Sequence, residues 1–293
     1  MISKKAICIV GIGKVGSALA IELSDAGYNV KYLIGHRNVA FNKVAKYVKG
    51  SVISGKLDEK IAADSDVIFI CVQDSEISEI VTELKEYDLK WKFLIHTSGS
   101  LSSEEFSPLK VSKKDIASFH PIQTFTKVSQ QNNKLLSGIY FGIEGGVDAT
   151  AFLKTVANKL GGESFTIKAK DKPLYHIASV IASNFLVANL SIVSEILGKL
   201  GVKGKKSYEV YKGIIEQTLN NVKLHGDTDS ITGPIDRNDK ETLLKHKDVL
   251  KKEMPEISDY YKEASKMVSK VAYKKGSLTK KEYGELVRFL NKK

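Results

Sequence analysis

The amino-acid sequence predicts an α/β domain with a doubly wound, mostly parallel sheet, followed by an all-α domain. Three observations carry that expectation. Short β-branched runs alternate with helical stretches through the first half of the chain. Those runs are nearly continuous in apolar residues, which marks a sheet covered on both faces. After Lys170 no strand-like run recurs, and the pattern becomes one of long helices.

Taken in order, Lys5 to Val10 (KAICIV) reads as a strand ending at Gly11, Val15 to Ala26 as a helix and Asn29 to Ile34 as a second strand. Further strands are expected at Val67 to Val72, Phe93 to His96, Ile116 to Phe119, Ile139 to Ile143 and Ser164 to Ile167. Asp74 is placed to cap a helix over 75–86. Helices are then predicted over 173–199, 206–223, 240–252, 256–274 and 280–291. Pro173 suits a first helical position. Asn238-x-x-Glu241 and Thr279-x-x-Glu282 resemble capping boxes that open two of these helices. The change of class divides the chain into domains of 1–168 and 169–293.

A length of 293 residues is ample for two domains with their own cores. The two cysteines, Cys8 and Cys71, sit inside apolar runs and read as buried thiols of a cytoplasmic protein. No signal peptide is expected, because the short apolar run at the N-terminus ends at glycines without a small-residue cleavage site. The apolar stretch 174–193 carries His176, Asn184 and Asn189, which argues against a membrane span. The net charge of +11 does not argue for nucleic acid. Only Arg37, Arg237 and Arg288 are arginine, and dispersed lysine mostly makes a solvated surface.

Gly11-Ile12-Gly13-Lys14-Val15-Gly16 gives G-x-G-x-x-G between a predicted strand and a predicted helix. Gly11 permits the tight turn, Gly13 lets the backbone approach a diphosphate, and Gly16 lets helix and strand pack closely. The amides of Lys14 and Val15 at the helix start favour anions, and Val72 and Gln73 end a neighbouring strand. This is the fingerprint of a Rossmann dinucleotide-binding domain. The second strand ends Leu33-Ile34-Gly35-His36-Arg37-Asn38, with no acid to hold a ribose 2′-hydroxyl. Arg37 suits a 2′-phosphate instead, so the expected cofactor is NADP(H).

Two more strand ends, which face the ligand crevice in a doubly wound sheet, carry His96-Thr97-Ser98-Gly99 and Ser118-Phe119-His120-Pro121. Ser98 offers a hydroxyl, and the proline sets the backbone direction at His120. Lys172, His176 and Ser183-Asn184 share one face of an otherwise apolar helix, an expensive arrangement unless they line a cavity. Lys172, His176, Asn184, Ser98 and His120 are therefore the candidate catalytic residues, with Lys172 at the domain boundary. Arg237, in the loop Thr232 to Asp239, is placed to meet an anion. No metal is expected, since the six histidines are far apart and neither H-x-x-E-H nor C-x-x-C spacing exists.

GIGKVGSALA, the HTSG turn, SFHPIQTF, KPLYHIASVIASNFLVANL and the ITGPIDRND loop occur in that order. Together they resemble a family of two-domain reductases whose helical domain is similar to those of pyrroline-5-carboxylate reductase and 6-phosphogluconate dehydrogenase. Within it the lysine-rich sequence is similar to the PanG-type ketopantoate reductases. The resemblance implies NADPH-dependent reduction of a 2-keto acid, 2-dehydropantoate to pantoate, in the supply of pantothenate and coenzyme A. It also implies a homodimer through the helical domain, whose helix 173–199 is apolar on nearly all sides. One departure stands out. The 3-hydroxyacid dehydrogenases place an asparagine four residues after the lysine, whereas here His176 follows Lys172 at that spacing and asparagine comes only at 184. Lys172 and His176 both remain candidate proton donors. Ser-Phe-His-Pro also resembles the histidine-proline of prephenate and arogenate dehydrogenases. Reduction of a cyclic imine, or dinucleotide sensing without turnover, would suit the same residues.

Overall fold

Eight strands form one sheet in the computed structural model, which describes residues 5–36, 39–87, 93–127 and 134–292. They are β1 (Ala6–Val10), β2 (Asn29–Ile34), β3 (Val52–Ser54), β4 (Val67–Ile70), β5 (Phe93–His96), β6 (Ile116–Pro121), β7 (Tyr140–Gly145) and β8 (Glu163–Thr166). Their order across the sheet is β3-β2-β1-β4-β5-β6-β7-β8. Every pairing is parallel except β6 with β7. The order reverses between β1 and β4, so a crevice opens beyond their carboxyl ends.

The central strands explain the unbroken apolar runs. Ile7, Cys8, Ile9, Ile68 and Phe69 are wholly buried. Ile7, Ile9 and Phe69 pack on one face with helices α1 (Lys14–Asp25) and α5 (Val147–Lys159), while Cys8, Ile68 and Ile70 pack on the other with α4 (Asp74–Lys85). Short helices α2 (Val39–Tyr47) and α3 (Glu59–Ala63) flank β3 in the chain. Sequence patterning does not reveal β3. Its three residues lie at the sheet edge, where Val52 is exposed and half-burial leaves no apolar run to read.

Two expected caps fall on the neighbouring residue. Gln73, not Asp74, is the N-cap of α4, and its backbone N–H donates to Glu76. Asp74 instead accepts from the Ser100 hydroxyl at 2.6 Å. In the second unit Asp239, not Asn238, caps α9 (Lys240–Glu253) by accepting from the Thr242 N–H. Asn238 has φ +54, the left-handed turn that delivers Asp239 to that position. The Thr279–Glu282 capping box forms as expected at the start of α11 (Lys280–Asn291).

The chain divides into two compact units, Met1–Phe185 and Leu186–Lys293. The division lies beyond the change of residue pattern at 168–172, because α6 (Lys172–Val180) and the wider π-helical turn Ile181–Phe185 belong with the sheet. The second unit holds α7 (Leu186–Lys199), α8 (Lys205–Asp229, broken at Gly226), α9, α10 (Pro255–Lys275) and α11. Its buried cluster joins Ile235, Leu243, Ala272, Leu278, Leu286 and Leu290. The stretch Ala169–Lys199 is long and apolar enough to cross a membrane by length and composition. Leu174, Ile177, Ile181 and Phe185 in the first unit, and Val187 in the second, are all more than half exposed.

Candidate active site

The glycine-rich turn stands at the carboxyl end of β1. Gly11 has φ +89, and a Cβ there would meet the Cys71 carbonyl oxygen at 2.8 Å. A Cβ on Gly16 would lie 1.9 Å from the Gly11 carbonyl oxygen, so α1 can seat against the turn only with glycine there. Gly13 differs, because nothing lies within 4 Å of the position its Cβ would take. It is the N-cap of α1 and offers no side-chain cap, which leaves the first-turn amides of Lys14 and Val15 for an anion.

A cavity of about 470 Å³ opens beside this turn. Gly11, Gly13, Gly35, His36 and Lys56 are among its lining residues, together with Val72, Gln73, Glu76 and Glu79. The expected residues Gly11, Gly13, Val72 and Gln73 thus converge on one space, with Gly16 supporting it. Arg37 lies outside the described residues.

The second constellation assembles at the carboxyl ends of β5 and β6. Lys172 opens α6 and is wholly buried. Its Nζ donates to the Ser98 carbonyl oxygen and to the Ser118 Oγ, each at 2.8 Å. Burial draws the ammonium down to about 8, a pull opposed by the carboxylates of Glu144 and Asp74. At neutral pH this lysine holds a proton it can readily give up.

His120, on the same face of β6 as Ser118, shares a hydrogen bond between its Nδ1 and the Tyr175 hydroxyl at 2.6 Å. Burial first, and the nearby Lys172 and His176 second, hold its imidazole at about 4, so it is neutral. The His176 ring stands edge-on to His120, with centroids 6.2 Å apart. Gly99 makes this approach possible, since a Cβ there would come within 2.9 Å of both rings. His96 is a framework residue. Its Nε2 bonds the Ser102 carbonyl at 3.0 Å, its Nδ1 accepts from the Ser98 N–H, and burial keeps it neutral at about 4.

Of the candidate catalytic residues, Lys172, His176, His120 and Ser98 come together. Ser98 contributes its carbonyl; its hydroxyl accepts from the Ser100 and Leu101 amides within the turn. Asn184 stands exposed within the π-helical turn. Eight α-helical residues would put it about 80° around from His176, and one extra residue in the wider turn cuts that offset to about 20°. Arg237 is exposed in the second unit, in a loop held by the Asp236–Lys275 ion pair. Among the described residues no cluster of three or more metal-binding side chains occurs.

Residue reasoning missed Ser118 and Tyr175. Strand alternation could have found Ser118, two residues before His120. Helix spacing could have found Tyr175, three residues after Lys172. The two constellations are tied together, because Asp74, next to the lining residue Gln73, accepts from Ser100, which follows the HTSG turn.

Residues 6–99 match the family described as NADP oxidoreductase, coenzyme F420-dependent, and residues 139–268 match a domain of unknown function, DUF2520. The first unit carries a Rossmann-like domain, a mostly parallel sheet with helices on both faces. NADP(H) is the cofactor this domain binds. A prephenate dehydrogenase of Lactococcus lactis subsp. cremoris is 32% identical over 101 residues, which span 34% of this chain and 28% of that enzyme. The Bacteroides fragilis protein BF3122 superposes with a TM-score of 0.75 at 21% identity, covering 92% of this chain and all of that one. A Plasmodium falciparum pyrroline carboxylate reductase with NADP bound has a TM-score of 0.61 at 17% identity, covering 97% and 99% of the two chains. These structural likenesses establish the fold, a Rossmann sheet followed by helices.

Proposed function

We propose that the protein is an NADPH-dependent reductase of a small 2-keto acid, with 2-dehydropantoate as substrate and pantoate as product. The observation that carries the reading is the buried Lys172, anchored by Ser98 and Ser118 and poised near pH 8, at the same strand-end edge of the sheet as the glycine turn. An ammonium in that position attracts a 2-keto carboxylate and protonates the alkoxide as it forms. NADPH, when bound, supplies the hydride. Lys14, Val15 and Arg37 would hold its phosphates. Neutral His120 and the adjacent His176 orient the carboxylate, with Asn184 completing the rim, and Ser98 keeps the lysine in place.

Dispersed polar groups on an apolar helix fit a subunit interface better than a lipid one. Asn189 on α7 is already engaged by the Tyr260 hydroxyl of α10. The exposed apolar residues of α6 and α7 are proposed to pair in a homodimer, in a cytoplasmic protein that uses neither membrane nor nucleic acid. The test is light scattering at micromolar concentration; the mass of a single 32.3 kDa chain overturns the dimer.

A second reading, oxidation of a prephenate-type substrate, is favoured by the Lactococcus lactis match and by His120-Pro121. NADPH oxidation followed with 2-keto acids and cyclic imines, beside NADP⁺ reduction with prephenate, separates these activities. Fastest turnover of 2-dehydropantoate is the expected result. Preference for an imine or for prephenate overturns it, and tight NADPH binding without any turnover favours the sensor.

A further inference from the structure

Tyr175 has no part in the chemistry described so far, yet two independent features of the fold are built around its hydroxyl. The first is its hydrogen bond to His120 Nδ1 at 2.6 Å, with the two rings edge-on at 5.5 Å. The second is Gly142, opposite His120 in the antiparallel β6–β7 pairing. A Cβ on Gly142 would lie 2.6 Å from the Tyr175 oxygen, so only glycine leaves room for the phenol there.

The direction of the hydrogen bond follows from the partners. The phenol is the more acidic donor and the neutral imidazole nitrogen the more basic acceptor, so the stronger arrangement has the hydroxyl donating. Burial keeps the phenol protonated well above neutral pH. The one phenolic proton therefore goes to His120, and Nδ1 must be its acceptor. A neutral imidazole that accepts at Nδ1 carries its own proton on Nε2. That nitrogen lies over Gly99, 2.9 Å from where a Cβ would be, on the side His176 also faces.

We infer that Tyr175 is a positioning residue that locks His120 in the Nε2–H tautomer, so that this imidazole donates a hydrogen bond to a substrate carboxylate above Gly99. In the opposite tautomer Nε2 would present a lone pair to the same anion. The Tyr175–His120 pair thus fixes the polarity of one wall of the site without Tyr175 touching substrate. The carboxylate assignment rests on the proposed function; the tautomer does not.

The experiment is ¹⁵N NMR of histidine-labelled protein, combined with steady-state kinetics of Tyr175→Phe, His120→Gln and the double variant. In the parent, His120 is expected to show an unprotonated Nδ1 and a protonated Nε2. In Tyr175→Phe both tautomers should be populated, KM for the keto acid should rise about tenfold with kcat nearly unchanged, and NADPH affinity should hold. His120→Gln keeps a fixed amide donor near the Nε2 position, so adding Tyr175→Phe to it should change KM by less than about twofold. A parent His120 protonated on Nδ1 overturns the inference, as does an unchanged tautomer in Tyr175→Phe. Should Tyr175→Phe fail to fold, the parent spectrum decides alone. Loss of 2-dehydropantoate turnover in the parent would reject the proposed substrate while leaving the tautomer result intact.

Discussion

The glycine cradle and the lysine–histidine cluster lie at neighbouring strand ends of one sheet, and they are built in opposite ways. The cradle works through backbone: Gly11 turns, Gly16 lets the helix approach, and Gly13 leaves open space before the amides of α1. All of it comes from six consecutive residues. The cluster works through side chains delivered by β6 and α6 and held by the Ser98 carbonyl just beyond β5, from residues 98 to 176 along the chain. Phosphate binding needs only donors and room, whereas a poised proton needs burial, which no local segment can supply alone.

Substitutions should therefore separate the two functions. The largest expected effect is Lys172→Ala, which should lower turnover of the keto acid by about 100-fold or more while NADPH titrates normally. His176→Ala should cost less. A reversed order of the two would make His176 the acid. Next is a linkage experiment on the same lysine. Its folded value near 8 lies below the unfolded 10.5, so the unfolded chain binds the extra proton between those values, and parent stability rises with pH across that window. Denaturant unfolding should show Lys172→Met losing about 2–3 kcal/mol of its stability relative to the parent between pH 8 and 10.5. A constant difference would mean the buried amine is not poised. Turnover should likewise fall as pH rises through about 8.

The cradle should respond in the other sense. Gly16→Ala places a methyl 1.9 Å from a carbonyl oxygen, and should cost about 2 kcal/mol of stability and most NADPH affinity. Fluorescence titration and thermal unfolding would measure both; normal NADPH binding would mean the turn tolerates a wider helix seat. Smallest is Arg37→Glu, expected to weaken NADPH about tenfold, ~1.4 kcal/mol, with NADH little changed. Equal NADH and NADPH affinities in the parent would remove Arg37 from cofactor choice.

What could be read from residues alone follows the same division. The alternating strands, the five long C-terminal helices and the G-x-G-x-x-G turn are local patterns, and the structure contains them. Lys172, His176, His120 and Ser98 stand out because polar groups occupy places where apolar ones belong, but their mutual distances are not legible. Ser118 and Tyr175 look like ordinary strand and helix residues until β6 and α6 meet. The caps at Gln73 and Asp239 move by one residue because capping depends on backbone angles that several polar neighbours could serve. The π-helical turn at Ile181–Phe185 leaves no composition signal at all.

The anchoring of Lys172 has a consequence for the full cycle. An ammonium has three hydrogens, and two are occupied by Ser98 and Ser118. The third is the one available to leave, and the amine that remains can keep both anchors while its lone pair points where that hydrogen was. Nothing needs to rearrange before a fresh proton is taken up along the same direction. A donor mounted this way serves reduction and its reversal equally, so the balance of nucleotide and substrate, not the protein, would choose the direction of flow.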